Sequence, residues 1–150
     1  MTEKKQAWVE ETPENIEELK KQASNKADYK IRMQAVDGLS KFKCRQSIDV
    51  LWRVMISDLV FGVKEKAFRA LQSFGEDVKL PRKKKGHLIK DINHKLSVVG
   101  NSFNGDFNMD EFKRRFKDKY PEACDVYLYE KKGNFDEWIL NVLKSANSKR

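Results

Sequence analysis

Proline and glycine are scarce in this chain, with three and seven in 150 residues. An all-β protein draws heavily on both for its turns, so their scarcity argues against that class and for an all-α one, with Leu, Lys, Glu, Ala and Phe recurring instead. Cysteine is scarcer still: Cys44 and Cys124 stand 80 positions apart with no CxxC or Cys/His cluster. A disulfide framework or a structural zinc site is not expected from such spacing, and buried free thiols are. No apolar run approaches 18 residues, and the opening MTEKKQAWVEETPE is charged throughout. Neither a spanning helix nor a secretory signal is expected, and the expected compartment is the cytoplasm. The glycines stand singly, so no phosphate-cradling loop is present. His87 and His94 are seven apart, nearly two helical turns, which is too far for one tetrahedral metal site. No cofactor and no metal are expected.

What is present suffices for a core. Hydrophobic residues make up 39% of the sequence, enough for one compact domain or two small lobes. The net charge of +8 is uneven: residues 1–80 hold 15 cations against 13 acids, and residues 81–150 hold 16 against 10. The basic excess therefore lies in the second half.

The stretch DYKIRMQAVDGLSKF (28–42) has a second copy. Set against DLVFGVKEKAFRALQSF (58–74) at an offset of 32, it superposes Ile31 on Val63, Arg32 on Lys64, Ala35 on Ala67, Leu39 on Leu71 and Phe42 on Phe74. The offsets i, i+4, i+8 and i+11 place the β-branched residue, Ala, Leu and Phe on one helical stripe, with the basic residue beside it. Each copy is preceded by another helix candidate. Thr12-Pro13-Glu14 offers an N-cap, a first-turn proline and favourable acids for PENIEELKKQAS. RQSIDVLWRVMIS (45–57) spaces Ile48, Leu51, Trp52, Met55 and Ile56 along one stripe. The order is helix A, helix B, helix A, helix B, and Asp28 reads as the N-cap of its own helix.

Helix pairs recurring at such a period characterise α-solenoids. On the pattern Ile31-Arg32-x-x-Ala35-x-x-x-Leu39 and Val63-Lys64-x-x-Ala67-x-x-x-Leu71, residues 13–75 resemble HEAT/armadillo-type repeats. Asp58, five residues before Val63, matches the family's inter-helix aspartate, whereas Asp28 lies only three before Ile31. Gly38 stands where alanine is usual and permits closer backbone packing. Leu59-Val60-Phe61 is apolar for a turn and is expected to be covered. The resemblance implies a short solenoid of two helix pairs, and two pairs are few enough that the remaining chain is expected to cap them. The expected layout is a flexible segment 1–12, HEAT-like repeats 13–75, a basic connector 76–86 and a C-terminal helical subdomain 87–150.

In that subdomain HLIKDINHKLSVV (87–99) sets Leu88, Ile92, Leu96 and Val99 on one helical face. NSFNGDFN (101–108) is a loop, and Asn108 can cap MDEFKRRFKDKY, with Phe112, Phe116 and Tyr120 as its apolar stripe. Pro121 stops that helix or begins the next. ACDVYLYEKKGNF allows a helix or a short hairpin, the helix being preferred. Asn134 then caps FDEWILNVLKSA, with Trp138, Ile139, Val142 and Leu143 facing inward. Four helices are expected, with a winged-helix arrangement as the alternative.

The candidate chemistry is thin. Asp91 and His94 are helix neighbours at i, i+3, and Cys124 is the one thiol that a catalytic set could recruit, yet no motif joins them. A helix-surface Asp–His pair and a packed thiol explain the three as well. The cations are more informative. Arg82, Lys83, Lys84 and Lys85 form one cluster, and Lys113, Arg114, Arg115, Lys117 and Lys119 another. Arg32, Lys64 and Arg69 extend them if the B-helices line a concave face, as the HEAT resemblance implies. Such clusters contact phosphates or serve as solvated surface, and Arg32 and Lys64 can equally pair with helix-end aspartates such as Asp58. Trp52 and Trp138 fall on apolar stripes. Trp8, in a polar segment, is either available to a partner or folded onto the first helix. The expected function is a non-enzymatic scaffold that binds another protein. The alternatives are nonspecific DNA or RNA binding through the basic patches, or a HEAT-like DNA glycosylase, for which no active-site set can be mapped.

Overall fold

The computed structural model describes residues 8–84 and 86–148, and the chain divides into two compact units, Met1–Lys83 and Lys84–Arg150. Among the described residues there are eight α-helices and no strand, only an isolated parallel bridge between Val9 and Phe42.

The first unit holds α1 (Ile16–Ala23), α2 (Tyr29–Leu39), α3 (Arg45–Ser57) and α4 (Phe61–Ser73). Helix α1 packs along α2 and α3 along α4, while α2 also lies against α4 and α1 against α3. The two sequence copies are α2 and α4. Ala35 and Ala67, and Leu39 and Leu71, are fully buried as pairs. Val63 is buried where Ile31 is half-buried, and Phe74 is buried where Phe42 is half-buried. Asp28 caps α2 by accepting from the Lys30 amide at 2.9 Å. A Cβ on Gly38 would stand 2.9 Å from Leu19 Cδ2, so its missing side chain is what lets α2 approach α1 so closely. Helix α4 closes in a Schellman turn: Glu76 N–H donates to Leu71 O, Gly75 N–H donates to Gln72 O, and Gly75 takes φ +88°.

Several expectations about this unit are corrected. The first helix begins at Ile16, after a turn in which Ile16 N–H donates to Pro13 O, so Thr12 is not its N-cap. Pro13 is itself buried. The inward face of α3 is Ser47, Val50, Leu51, Val54 and Met55, rotated from the expected stripe. Ile48 and Trp52 are half-buried and Ile56 is 54% exposed, because α1 and α4 meet α3 on its adjoining side. The described part of 1–12 meets the end of α2 through two backbone bonds: Val9 N–H donates to Lys41 O and Val9 O accepts from Lys43 N–H. Residues 1–7 lie outside the described residues. Of the apolar turn Leu59-Val60-Phe61, Val60 is fully buried.

The second unit holds α5 (Ile92–Asn101), α6 (Met109–Lys119), α7 (Pro121–Glu130) and α8 (Phe135–Ser148), with α5 against α8 and α6, and α6 against α7. Ile92, Leu96 and Val99 are buried as their spacing requires. The helix starts at Ile92, five residues later than the pattern suggested, after Asp91, which takes φ 58°. Leu88 stays outside it, its N–H donating to Tyr127 Oη at 3.1 Å. Asn108 caps α6, accepting from the Glu111 amide at 2.8 Å. Pro121 ends α6 and occupies the first turn of α7. The ambiguous segment is helical through Glu130, and a turn at Gly133 leads into α8.

Rings fill this core. Phe112 and Phe116 are fully buried, Phe107 meets Phe112 at 5.2 Å and Phe103 at 4.8 Å, and Tyr127 stacks on Trp138 at 4.6 Å. Ile139 is buried, while Trp138, Val142 and Leu143 are half-buried.

Candidate partner-binding surfaces

The cations proposed as contacts separate into three environments. Arg32 is 5% exposed. Its Nε and Nη2 donate to Asp58 Oδ2 and Oδ1 at 2.8 and 3.2 Å, and Nη1 donates to Asn25 O at 2.7 Å. Asp58 also accepts from the Val60 amide at 2.8 Å, so one carboxylate ties α2 to the turn between α3 and α4. Arg32 is therefore a structural residue, not an outward contact. Desolvation forbids an unpaired guanidinium at this depth, and the bidentate carboxylate removes that penalty.

Lys64 also turns to the end of α3, where its Nζ donates to Ile56 O at 3.1 Å. A cation there satisfies an orphan carbonyl and opposes the negative pole of the helix. Arg69 is exposed and pairs with Glu65 one turn away at 3.6 Å. Lys66 reaches across from α4 to Asp37 of α2 at 3.1 Å. Arg32, Lys64, Lys66 and Arg69 are thus engaged within the unit.

Arg82, Lys83 and Lys84 are exposed in the helix-free segment after α4, and Lys85 lies outside the described residues. On α6 the five cations have different tasks. Lys113 pairs with Asp136 of α8 at 2.7 Å. Arg115 lies over the Phe103 ring at 3.9 Å and donates to Ser102 O and Oγ at 2.8 and 3.0 Å. Arg114 and Lys117, three apart on one face, are exposed and form no ion pair among the described residues. Lys119 borders a cleft of about 290 Å³ with Arg115, Asp118 and Ser102. A larger cleft of about 560 Å³ lies between α5 and α8, with Phe107, Leu140 and Leu143 as apolar walls and Lys144 and Asn101 at its edge.

The other candidates do not converge. Asp91 and His94 are exposed at the start of α5, whereas Cys124 is 2% exposed within α7. Burial pushes the Cys124 thiol up to about 11, against opposing attraction from Lys117, so it is protonated at neutral pH. Among the described residues no group of three His, Cys, Asp or Glu is placed to hold a metal, and no helix is long and apolar enough to cross a membrane.

Cys44 differs from Cys124 in kind. It is half-buried and serves as the N-cap of α3, its sulfur accepting from the Ser47 amide at 3.4 Å. Burial alone would raise its pKa, but the hydroxyl and amide of Ser47, with Thr12 and the Gln46 amide, outweigh that and hold it below the usual thiol value. Sequence reasoning also missed what Trp8 does. Its indole docks not on the first helix but on the end of α4, with Nε1 donating to Ser73 O at 2.9 Å. A lone Trp in a polar segment was the only signal available, and it gave no docking place.

Comparison with known proteins finds no match: no family model, no curated protein and no solved structure is similar to the chain.

Proposed function

We propose that this chain is a non-enzymatic helical-repeat module of HEAT/armadillo type, a short solenoid whose surface engages another protein. The paired packing of α1 with α2 and α3 with α4 supports the repeat reading, as does the burial of the equivalent residues Ala35/Ala67 and Leu39/Leu71. The Arg32–Asp58 bond adds to it, since it joins the basic position of one copy to the inter-helix aspartate of the next. The observation that carries protein binding is the outer face of α3. Ile56 is 54% exposed, with Trp52 and Ile48 half-buried one and two turns before it. An apolar column with an aromatic member is what a protein interface uses, and phosphates have no use for it.

Chemical crosslinking in cell extract, identification of the captured protein and reconstitution with that protein purified test the reading. Binding should persist at about 0.5 M salt and fall about tenfold or more with Ile56→Glu. It should be indifferent to the double variant Arg114→Glu/Lys117→Glu.

A second reading rests on Arg114 and Lys117, whose charges on α6 are exposed and suit phosphate contact by counterion release. Steeply salt-dependent binding to generic duplex DNA or RNA, lost in that double variant, would replace the first reading with the second. Release of a damaged base by the purified chain would overturn the non-enzymatic assignment.

A further inference from the structure

Trp8 sits in a seat formed by the ends of α2 and α4. Its Nε1 donates to Ser73 O at 2.9 Å, its ring meets Phe74 edge-on with centroids 5.7 Å apart, and Lys43 Nζ lies 4.8 Å from the ring centroid. The next residue pairs by backbone alone. Val9 N–H donates to Lys41 O at 2.9 Å and Lys43 N–H donates to Val9 O at 2.7 Å, which makes a parallel bridge with Phe42. Two main-chain bonds to an exposed edge plus one side chain in a shaped seat are the elements of peptide recognition by strand addition.

The seat is held by elements other than its occupant. Ser73 and Phe74 belong to the Schellman-closed end of α4, and residues 40–42 are fixed by bonds to the carbonyls of Val36, Gly38 and Leu39. The occupant, by contrast, is lightly held. Val9 is 49% exposed, and Glu10, Glu11 and Thr12 are exposed as far as the buried Pro13. A segment with so few buried contacts opens at low free-energy cost, independently of the helices.

We propose that this seat is a peptide-binding site occupied in cis by residues 8–9, and that an extended, tryptophan-bearing segment of a partner protein displaces them. Tryptophan is selected because Ser73 O requires a donor at the ring edge, which phenylalanine lacks. The following position is tolerant, since the Val9 side chain is half in solvent. The site uses none of the outer face of α3, so it stands or falls apart from the function proposed above. The tether at Pro13, five residues from Trp8, keeps the cis segment at an effective concentration in the millimolar range, and a competitor must overcome that.

The probe is a fluorescein-labelled peptide with the sequence of residues 5–14, titrated into the full chain and into two full-length variants while anisotropy is followed. Trp8→Ala empties the side-chain seat, and Val9→Pro removes the amide that donates to Lys41 O. Both should bind the peptide saturably, and the wild-type chain about tenfold more weakly. A peptide with its tryptophan replaced by phenylalanine should bind none of them comparably. In the wild-type chain under excess peptide, hydrogen exchange should expose the Val9 amide while the Lys43 amide stays protected. The proposal is overturned if variants of unchanged helicity fail to bind, if wild type and variants bind alike, or if the phenylalanine peptide binds as well. Loss of helicity in both variants would make the segment a structural part of the fold and overturn it too.

Discussion

Between residues 16 and 74 the interior is lined by Ala, Val and Leu with a charge pair set among them, whereas between residues 92 and 139 much of the same task falls to rings. In the first unit, helices approach closely over Ala35, Gly38, Ala67 and Ala70, and surfaces so smooth carry little information about register. The bidentate Arg32–Asp58 bond supplies it, since a slip along either helix would strand a buried guanidinium. In the second unit Phe112, Phe116, Phe135 and Tyr127 are buried, Phe116 stacks on Phe135, and these rings contribute much of the shape that fixes the packing. Four short helices can thus be given a unique arrangement by geometry of charge or by geometry of shape.

The sharpest way to break this comparison is to remove one element from each unit. Asp58→Ala should cost about 3–5 kcal/mol by leaving Arg32 charged and unpaired, and the apolar double variant Arg32→Met/Asp58→Leu should recover most of it. Phe116→Ala should cost about 3–5 kcal/mol through lost burial and a cavity. Segment-resolved hydrogen exchange should confine the first loss to α1–α4 and the second to α5–α8; a loss shared equally by both would deny that the two units are stabilised separately.

An intermediate effect concerns pH. The Cys124 thiol, raised from 9.0 to about 11, stays protonated in the folded chain where the unfolded chain ionises. The folded state then binds more protons, so this contribution is fully present below pH 9 and is lost as pH rises from about 9 to about 11, a change of order 2–3 kcal/mol. Urea titrations across that range should show a shallower decline in Cys124→Ala than in the wild type. At pH 8 the two thiols should also be told apart by an alkylating reagent: Cys44, half-buried with a lowered pKa, should react well before Cys124. Equal rates would mean that α7 opens as readily as the start of α3. The smallest effect is expected at Arg69→Ala, whose exposed pair with Glu65 should contribute within about 0.5 kcal/mol in thermal denaturation.

Where local chemistry is self-contained, the sequence was legible. Asp28 and Asn108 announced their caps, Pro121 its boundary, and residues 45–57 their whole helix, because each of these depends on groups within four residues. Reading failed where a distant element decides. The inward face of α3 could not be chosen between two adjoining apolar stripes, since Ser47 is fully buried and Ile56 is not. Helix α7 looked ambiguous because Ala123 through Tyr127 are all buried, and a helix covered on every side has no 3.6-residue signal to show. The cation clusters were visible as letters, yet their availability was not. Arg32, Lys113 and Arg115 are taken up by Asp58, Asp136 and Phe103, at sequence separations of 12 to 26.

By itself, the sequence determined an all-α class, helices over the matched stretches 28–42 and 58–74, and the caps at Asp28 and Asn108. Those properties follow from short-range periodicity and backbone chemistry, which any stretch of chain carries with it. Only the tertiary structure decided which charges are buried, which apolar column of α3 faces outward, which thiol is raised and which lowered, and where Trp8 docks. Burial sets the cost of a charge and the value of an aromatic contact, and burial depends on neighbours that are remote in the chain.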